Sequence, residues 1–168
     1  MKRLKYFTIF GGAAVLALGT AAHFFYDRSG ENFLVGIFSP VNESTWEHMK
    51  LVFFPMLLFA AAARLFLGRE YSGAASAALC AGLLSTALVP VIFYTYSGVL
   101  GRTVPVLNIL TFAAAVLIGL YAFFRLCKSG GAERFFPLLF AVSAAVAALF
   151  FLFTCFPPRL GLFAVPQP

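Results

Sequence analysis

Chemically versatile side chains are concentrated in one nine-residue stretch, Asn42–Lys50, of a chain that is otherwise nearly uncharged. This stretch contains two carboxylates, a histidine, a lysine and the only tryptophan. Glu47 and His48 are the candidate catalytic pair, because a carboxylate and an imidazole can transfer protons or bind ligands. Five further members are candidates for substrate binding: Asn42, Glu43, Ser44, Trp46 and Lys50.

Helical spacing divides this stretch among three faces. At about 100° per residue, Glu43, Glu47 and Lys50 share the first face. Ser44 and His48 share the second face. Because carboxylates four residues apart repel each other, we expect a positive charge beside the first face. The third face is expected to contact lipid and contains Trp46, Met49 and Phe53.

A purely structural role accounts for the same residues one by one. Either Asn42 or Ser44 can cap the helix that follows, and Ser44 and Glu47 have the spacing of a capping box. On this interpretation Trp46 marks the membrane interface, and Lys50 extends its amine outward to water. The sequence leaves both the site and the helix-cap interpretations open.

Two more polar residues are expected on the same side of the molecule. His23 lies in the last turn of the first predicted helix and Asn108 one turn into the fourth, so both are candidates for substrate binding. His23, Glu43 and Glu47 are the candidate metal ligands. The adjacent Glu47 and His48 point about 100° apart, which argues against both binding one ion. There is no His-Glu-x-x-His motif, and the cofactor is left unknown.

The composition is that of a membrane protein. Hydrophobic residues make up 62% of the chain and charged residues 11%, whereas soluble domains contain about 25% charged residues. Apolar runs predict an all-α integral membrane protein, a single domain over 1–168 with five transmembrane helices. The predicted helices are about 6–26, 44–67, 71–97, 105–126 and 135–156. The apolar segment 33–38 is too short to span, and we expect it to be interfacial or re-entrant between helices one and two.

The distribution of basic residues predicts the orientation. With the N-terminus in the cytoplasm, eight basic residues lie inside and four outside, in agreement with the positive-inside rule. Five helices then place the C-terminus outside, together with the stretch Asn42–Lys50. The net charge of +6 reflects this topology, and without a basic stripe we expect no nucleic-acid partner. Met1–Ala22 also resembles a secretory signal, but the apolar run continues to Tyr26, which favours an uncleaved helix.

The Asn42–Lys50 stretch resembles the Asn-Glu-Ser-x-Trp-Glu-His-x-Lys signature of a family of small, uncharacterised bacterial membrane proteins. The resemblance extends to His23, Tyr26, Ser29, Gly30 and Phe38–Val41, and forward to Phe153–Pro158. The last residues, Arg159–Pro166, depart from the more polar ending of that family, which puts a contribution from this tail in doubt. The resemblance implies a multi-pass protein of the bacterial cytoplasmic (inner) membrane, and no activity.

Three functions are compatible with these features. The first is an outward-facing site that binds or acts on a lipid headgroup, a small envelope molecule or a metal. The second is a transporter or transporter subunit, which would require a homo-oligomer because no carboxylate lies at mid-membrane depth. The third is a structural or accessory protein in which the stretch only caps helix two. The bilayer is the one partner that the sequence predicts, and whether the protein is an enzyme is left open.

Overall fold

The computed structural model describes residues 1–166, and all regular structure within them is helical. The α-helices are α1 (Lys2–Ala22), α2 (Phe25–Arg28), α3 (Phe33–Phe38), α4 (Thr45–Leu67), α5 (Ala74–Leu100), α6 (Pro105–Ser129) and α7 (Phe136–Cys155). Short 3-10 helices lie at Glu133–Phe135 and Gly161–Phe163. Five helices are long and apolar enough to cross a membrane, namely α1, α4, α5, α6 and the segment Glu133–Cys155. The predicted number of long helices is thereby confirmed, and it indicates a multi-pass membrane protein.

The predicted end of the first helix was wrong. That prediction placed the end at Tyr26, whereas α1 ends at Ala22 and a turn at His23 and Phe24 separates it from α2. Hydropathy could not reveal this turn because the sequence remains apolar and aromatic across it. The change in direction places His23 at the end of α1, where its side chain is free to face another helix.

Helix α4 is the central helix of the bundle. It packs along α5, while α1 lies against both α4 and α6, and α7 covers α5 and one side of α4. Small residues at every fourth position of α5 are buried, among them Ala77 and Ala81, and Gly82 lies against Met56 of α4. Pro55 and Pro90 lie within continuous helices. Small side chains therefore bring α4 and α5 close together, which fixes the position of the N-terminus of α4.

The two ends of the bundle differ in chemistry. The end that contains Asn42–Lys50 is called the motif end, and the other the opposite end. At the opposite end, the Arg3 guanidinium contacts the Glu70 carboxylate at 2.5 Å, and the Ser72 hydroxyl donates to Glu133 at 2.5 Å. At the motif end, Tyr96 donates a hydrogen bond to Asn108, joining α5 to α6. The polar groups predicted on one side of the membrane therefore do share one end of the bundle.

The short helix α3 folds back against α4 at the motif end. The Asn32 side chain caps it by accepting a hydrogen bond from the Leu34 amide at 2.9 Å. The Phe38 ring packs edge-on against Phe54 of α4 and Phe151 of α7. The segment 33–38 is thus a short helix that covers the first turns of α4 from one side, and its interfacial or re-entrant placement stays a prediction.

Candidate functional site

The N-terminus of α4 is organised by two consecutive caps. The Asn42 side-chain oxygen accepts a hydrogen bond from the Ser44 amide at 2.9 Å. The Ser44 hydroxyl, at the N-cap, accepts from the Glu47 amide at 3.4 Å. Only this half of the predicted capping box forms, because the Glu47 carboxylate instead accepts from the Val41 amide at 3.0 Å. Asn42 and Ser44 therefore shape the backbone from which the other side chains project.

Glu47 and Lys50 form a buried ion pair, which we call the ion-pair cluster. The Lys50 ammonium lies 2.6 Å from the Glu47 carboxylate, and the two side chains are 0% and 3% exposed. The ammonium also donates to the Gly36 carbonyl at 2.9 Å and to the Thr154 hydroxyl at 2.6 Å. The expectation that Lys50 extends outward to water was wrong, because α3 and the end of α7 enclose its amine.

This enclosed pair joins three parts of the chain. Glu47 and Lys50 come from α4, Gly36 from α3 and Thr154 from α7. A buried charge is tolerated only when its hydrogen bonds are satisfied, and removing one member of a buried pair costs about 3–5 kcal/mol. The ion-pair cluster therefore fastens α3 and the end of α7 to the first turns of α4.

The predicted lipid-facing side of α4 was also wrong. Trp46 is only 8% exposed, and Met49 and Phe53 are buried as well. The Trp46 indole packs against Phe150 of α7 and against Phe163 of the C-terminal tail. The hydropathy of a single helix does not distinguish a lipid contact from a helix contact, since both environments are apolar. Trp46 thus belongs to the packed core and does not face outward from the bundle.

The second group of polar side chains consists of His23, Glu43 and His48, which we call the His–Glu cluster. Each offers one metal-binding atom, and these three atoms lie within 4.8 Å of one another. The His48 Nε2 atom is 3.3 Å from Glu43 Oε2, and the His23 Nε2 atom is 4.0 Å from Glu43 Oε1. The Glu43 side chain is 66% exposed, whereas the two imidazoles are about one-third exposed. The cluster is accessible, in contrast to the ion-pair cluster.

The backbone contact of His48 indicates which ring nitrogen carries the hydrogen in the neutral imidazole. Its Nδ1 atom lies 3.0 Å from the Ser44 carbonyl oxygen, which only accepts hydrogen bonds, so Nδ1 carries a proton. In the neutral ring the lone pair on Nε2 then faces the Glu43 carboxylate. Two acceptors at 3.3 Å repel unless a proton or a metal ion lies between them. This contact is therefore a site for a positive charge.

Helix geometry explains why Glu43 lies beside the two histidines rather than beside Glu47. Glu43 precedes the N-cap Ser44, so it lies outside α4 and the angle of about 100° per residue does not apply to it. The predicted common face of Glu43, Glu47 and Lys50 was therefore wrong. Among the three metal ligands proposed from the sequence, Glu47 is replaced by His48. The capping box already contained this information, because a cap at Ser44 places Glu43 before the helix.

Close packing of α1 on α4 brings His23 to this position. A side chain at Gly19 would collide with the Leu51 carbonyl oxygen and with the Phe112 ring. Only a glycine permits this approach, one turn before His23. The His23 and His48 rings consequently lie 5.3 Å apart between centroids. The His23 Nδ1 atom is buried and has no hydrogen-bond partner among residues 1–166.

A cavity of about 190 Å³ adjoins the His–Glu cluster between α4, α5 and α6. Of the site residues predicted from sequence, Glu43, His48 and Asn108 line it. Thr45 also lines it, and its hydroxyl is buried without a hydrogen-bond partner in the described chain. An unsatisfied buried hydroxyl costs about 1–3 kcal/mol, so this group is available to a ligand. Sequence reasoning overlooked Thr45, because a threonine in the first turn of a helix has no distinctive pattern.

The C-terminal tail is part of the motif end. The Tyr94 hydroxyl donates to the Gly161 carbonyl at 3.1 Å, and the Phe163 ring packs on Trp46. Pro166 lines the cavity beside the His–Glu cluster. The sequence difference from the family's ending therefore does not remove the tail from the site.

These features define a class of protein: an all-helical bundle with five helices of membrane-spanning length and apolarity, and with polar clusters at one end. The chain belongs to a family of unknown function, DUF6512, whose sequence profile matches residues 1–166. The predicted membership in an uncharacterised family is thereby confirmed. No curated protein and no solved structure matches the chain.

Proposed function

We propose that this protein is a multi-pass protein of the bacterial inner membrane that binds a divalent transition-metal ion at its outer surface. His23, Glu43 and His48 are the proposed ligands. The five long apolar helices support the membrane assignment, and the excess of basic residues at the opposite end supports a cytoplasmic location for that end.

The observation that carries the proposal is the separation of 3.3 Å between His48 Nε2 and Glu43 Oε2. Tetrahedral ligands bound at about 2.0–2.1 Å from Zn²⁺ lie about 3.3–3.4 Å apart. The Ser44 carbonyl holds the His48 ring with its Nε2 lone pair toward that point, which is the arrangement typical of metal-binding histidines. His23 requires only a small side-chain movement to supply the third ligand.

Two histidines and one carboxylate favour Zn²⁺ among the common divalent ions, because Ca²⁺ and Mg²⁺ prefer oxygen ligands only. Three protein ligands leave one tetrahedral position open, as in catalytic zinc sites. Because Glu43 and His48 also line the cavity, that open position can be reached from it. The geometry therefore supports binding and exchange of a small ligand at the metal.

The test is metal content and affinity in the purified protein. Protein extracted in a neutral detergent, stripped with a chelator and dialysed against Zn²⁺ should retain one equivalent by mass spectrometry. Glu43→Gln should lose that equivalent while the folded yield is unchanged. Glu31→Gln, at an exposed carboxylate near the same end, is the matched control and should retain it.

Two results would reject this proposal. One is the absence of stoichiometric Zn²⁺, Co²⁺ or Ni²⁺ in the folded wild-type protein. The other is undiminished binding by both Glu43→Gln and His48→Gln. If Glu47→Gln folds and is the one variant that loses the metal, the result would instead support the ligand set proposed from sequence.

A structural function for half of the motif has its own support. The ion-pair cluster is enclosed and joins α3, α4 and α7, so we assign it to fixing the outer end of the bundle. Glu47 is accordingly a positioning residue and not the catalytic partner of His48 in this proposal. Glu47→Gln leaves the buried Lys50 ammonium without its anion, so it should lower the free energy of unfolding, while the protein that does fold should still bind Zn²⁺ normally.

A further inference from the structure

The residues that line the cavity beside the His–Glu cluster favour one chemical class of ligand. We propose that it binds a small carboxylic acid, whose carboxylate completes the coordination of the metal ion and whose apolar part occupies the cavity. This inference rests on the proposed metal site and specifies its ligand.

Charge balance is the first argument. A divalent ion bound by the single carboxylate of Glu43 and two neutral imidazoles leaves one positive charge. The remaining described residues that line the cavity are neutral, and no arginine or lysine is among them. One negative charge on the ligand therefore balances the site, whereas a doubly charged phosphate would have no second cation.

Hydrogen bonding is the second argument. The Thr45 hydroxyl is buried at the cavity and lacks a partner in the described chain. The Asn108 side chain accepts a hydrogen bond from Tyr96 at its oxygen, which leaves its amide NH₂ group as a donor. Two neutral donors beside a metal are suited to a carboxylate, because one oxygen binds the ion and the other accepts hydrogen bonds.

Size and wall chemistry are the third argument. The volume of about 190 Å³ is slightly larger than the roughly 150 Å³ of an apolar cavity that accommodates benzene. Its apolar wall is formed by Leu51, Val89, Phe93 and Phe112. An aromatic ring or a short branched chain fills this space, whereas acetate would leave the apolar wall without a contact. Benzoate therefore has a suitable size, charge and hydrophobicity.

The experiment uses the full chain in neutral detergent with Co²⁺ bound, because the visible spectrum of Co²⁺ reports its ligands. Titration with benzoate should change the spectrum saturably. Asn108→Leu and Thr45→Val should each weaken benzoate binding about tenfold without changing the Co²⁺ affinity. Thr95→Val is the matched control, because Thr95 lies at the same end but outside the cavity lining, and it should bind benzoate normally.

The outcomes separate the two proposals. Stoichiometric Co²⁺ with no spectral response to benzoate overturns the cavity inference and leaves the metal site intact. Failure to bind Co²⁺ overturns both. A response to inorganic phosphate but not to benzoate contradicts the charge argument. A response to laurate alone contradicts the size argument and identifies the occupant as a lipid-derived acid. If Thr45→Val does not fold, Asn108→Leu still decides the hydrogen-bonding argument.

Discussion

Two polar clusters lie within one turn of each other at the start of α4, and they differ most in their access to solvent. In the ion-pair cluster, Glu47 and Lys50 are 3% and 0% exposed. In the His–Glu cluster, Glu43 is 66% exposed. The difference arises because α3 and the end of α7 cover one side of α4, while Glu43 precedes the helix and remains uncovered. One continuous sequence motif thus supplies an enclosed ion pair and two members of an accessible polar cluster.

The largest expected effect concerns the ion-pair cluster. Lys50→Ala should lower the free energy of unfolding by about 3–5 kcal/mol, because it leaves the buried Glu47 carboxylate without its cation. The double variant Glu47→Leu/Lys50→Met should recover much of that loss, since no buried charge remains. Thermal unfolding in detergent micelles measures both. If Lys50→Ala unfolds at the wild-type temperature, the pair is not enclosed as described.

The second effect concerns the His–Glu cluster and depends on metal. Zn²⁺ at a free concentration of about 100 times its dissociation constant should stabilise the wild-type protein by about 2.7 kcal/mol. The His48→Gln variant should not be stabilised by Zn²⁺, and it should unfold near the temperature of the metal-free wild-type protein. The measurement is unfolding with and without Zn²⁺. If Zn²⁺ stabilises His48→Gln as much as it stabilises the wild-type protein, the ion binds elsewhere.

The third effect tests how α1 positions the His–Glu cluster. Gly19→Ala should cost about 1–3 kcal/mol of stability, because the added Cβ collides with the Leu51 carbonyl and forces α1 away from α4. The same displacement should weaken Zn²⁺ binding by moving His23. Calorimetric titration measures the affinity. Gly98→Ala, where an added Cβ has open space, is the control. Unchanged Zn²⁺ affinity in Gly19→Ala would show that His23 is not a ligand.

The smallest effect is expected from a nearly isosteric substitution beside the ion-pair cluster. Thr154→Val removes one of the hydrogen bonds to the Lys50 ammonium and should cost about 1 kcal/mol. Zn²⁺ affinity should remain at the wild-type value, because the hydrogen bonds of the Thr154 hydroxyl join it to the ion-pair cluster and to the Phe150 carbonyl of its own helix. Unfolding and calorimetry on the same sample measure both quantities. Reduced Zn²⁺ affinity would show that the two clusters are coupled.

Much of the fold could be predicted from local sequence. The five long helices follow from apolar runs, and the cap at Ser44 follows from side-chain type and spacing. The buried small-residue face of α5 follows from glycine and alanine at every fourth position. Each of these features depends on residues that are close together in the sequence, and for that reason a single sequence is sufficient to predict it. The orientation in the membrane, the bacterial origin and the catalytic roles of Glu47 and His48 stay predictions.

The sequence by itself determined which side chains lie at the motif end and which helix begins there. Only the tertiary structure decided how they are paired. Glu47 turns toward Lys50 because α3 and α7 close over that side, and Glu43 turns toward His48 and His23 because α1 approaches α4 at Gly19. Periodicity describes positions within one helix, whereas these pairings depend on a residue before the helix and on distant segments packed against it.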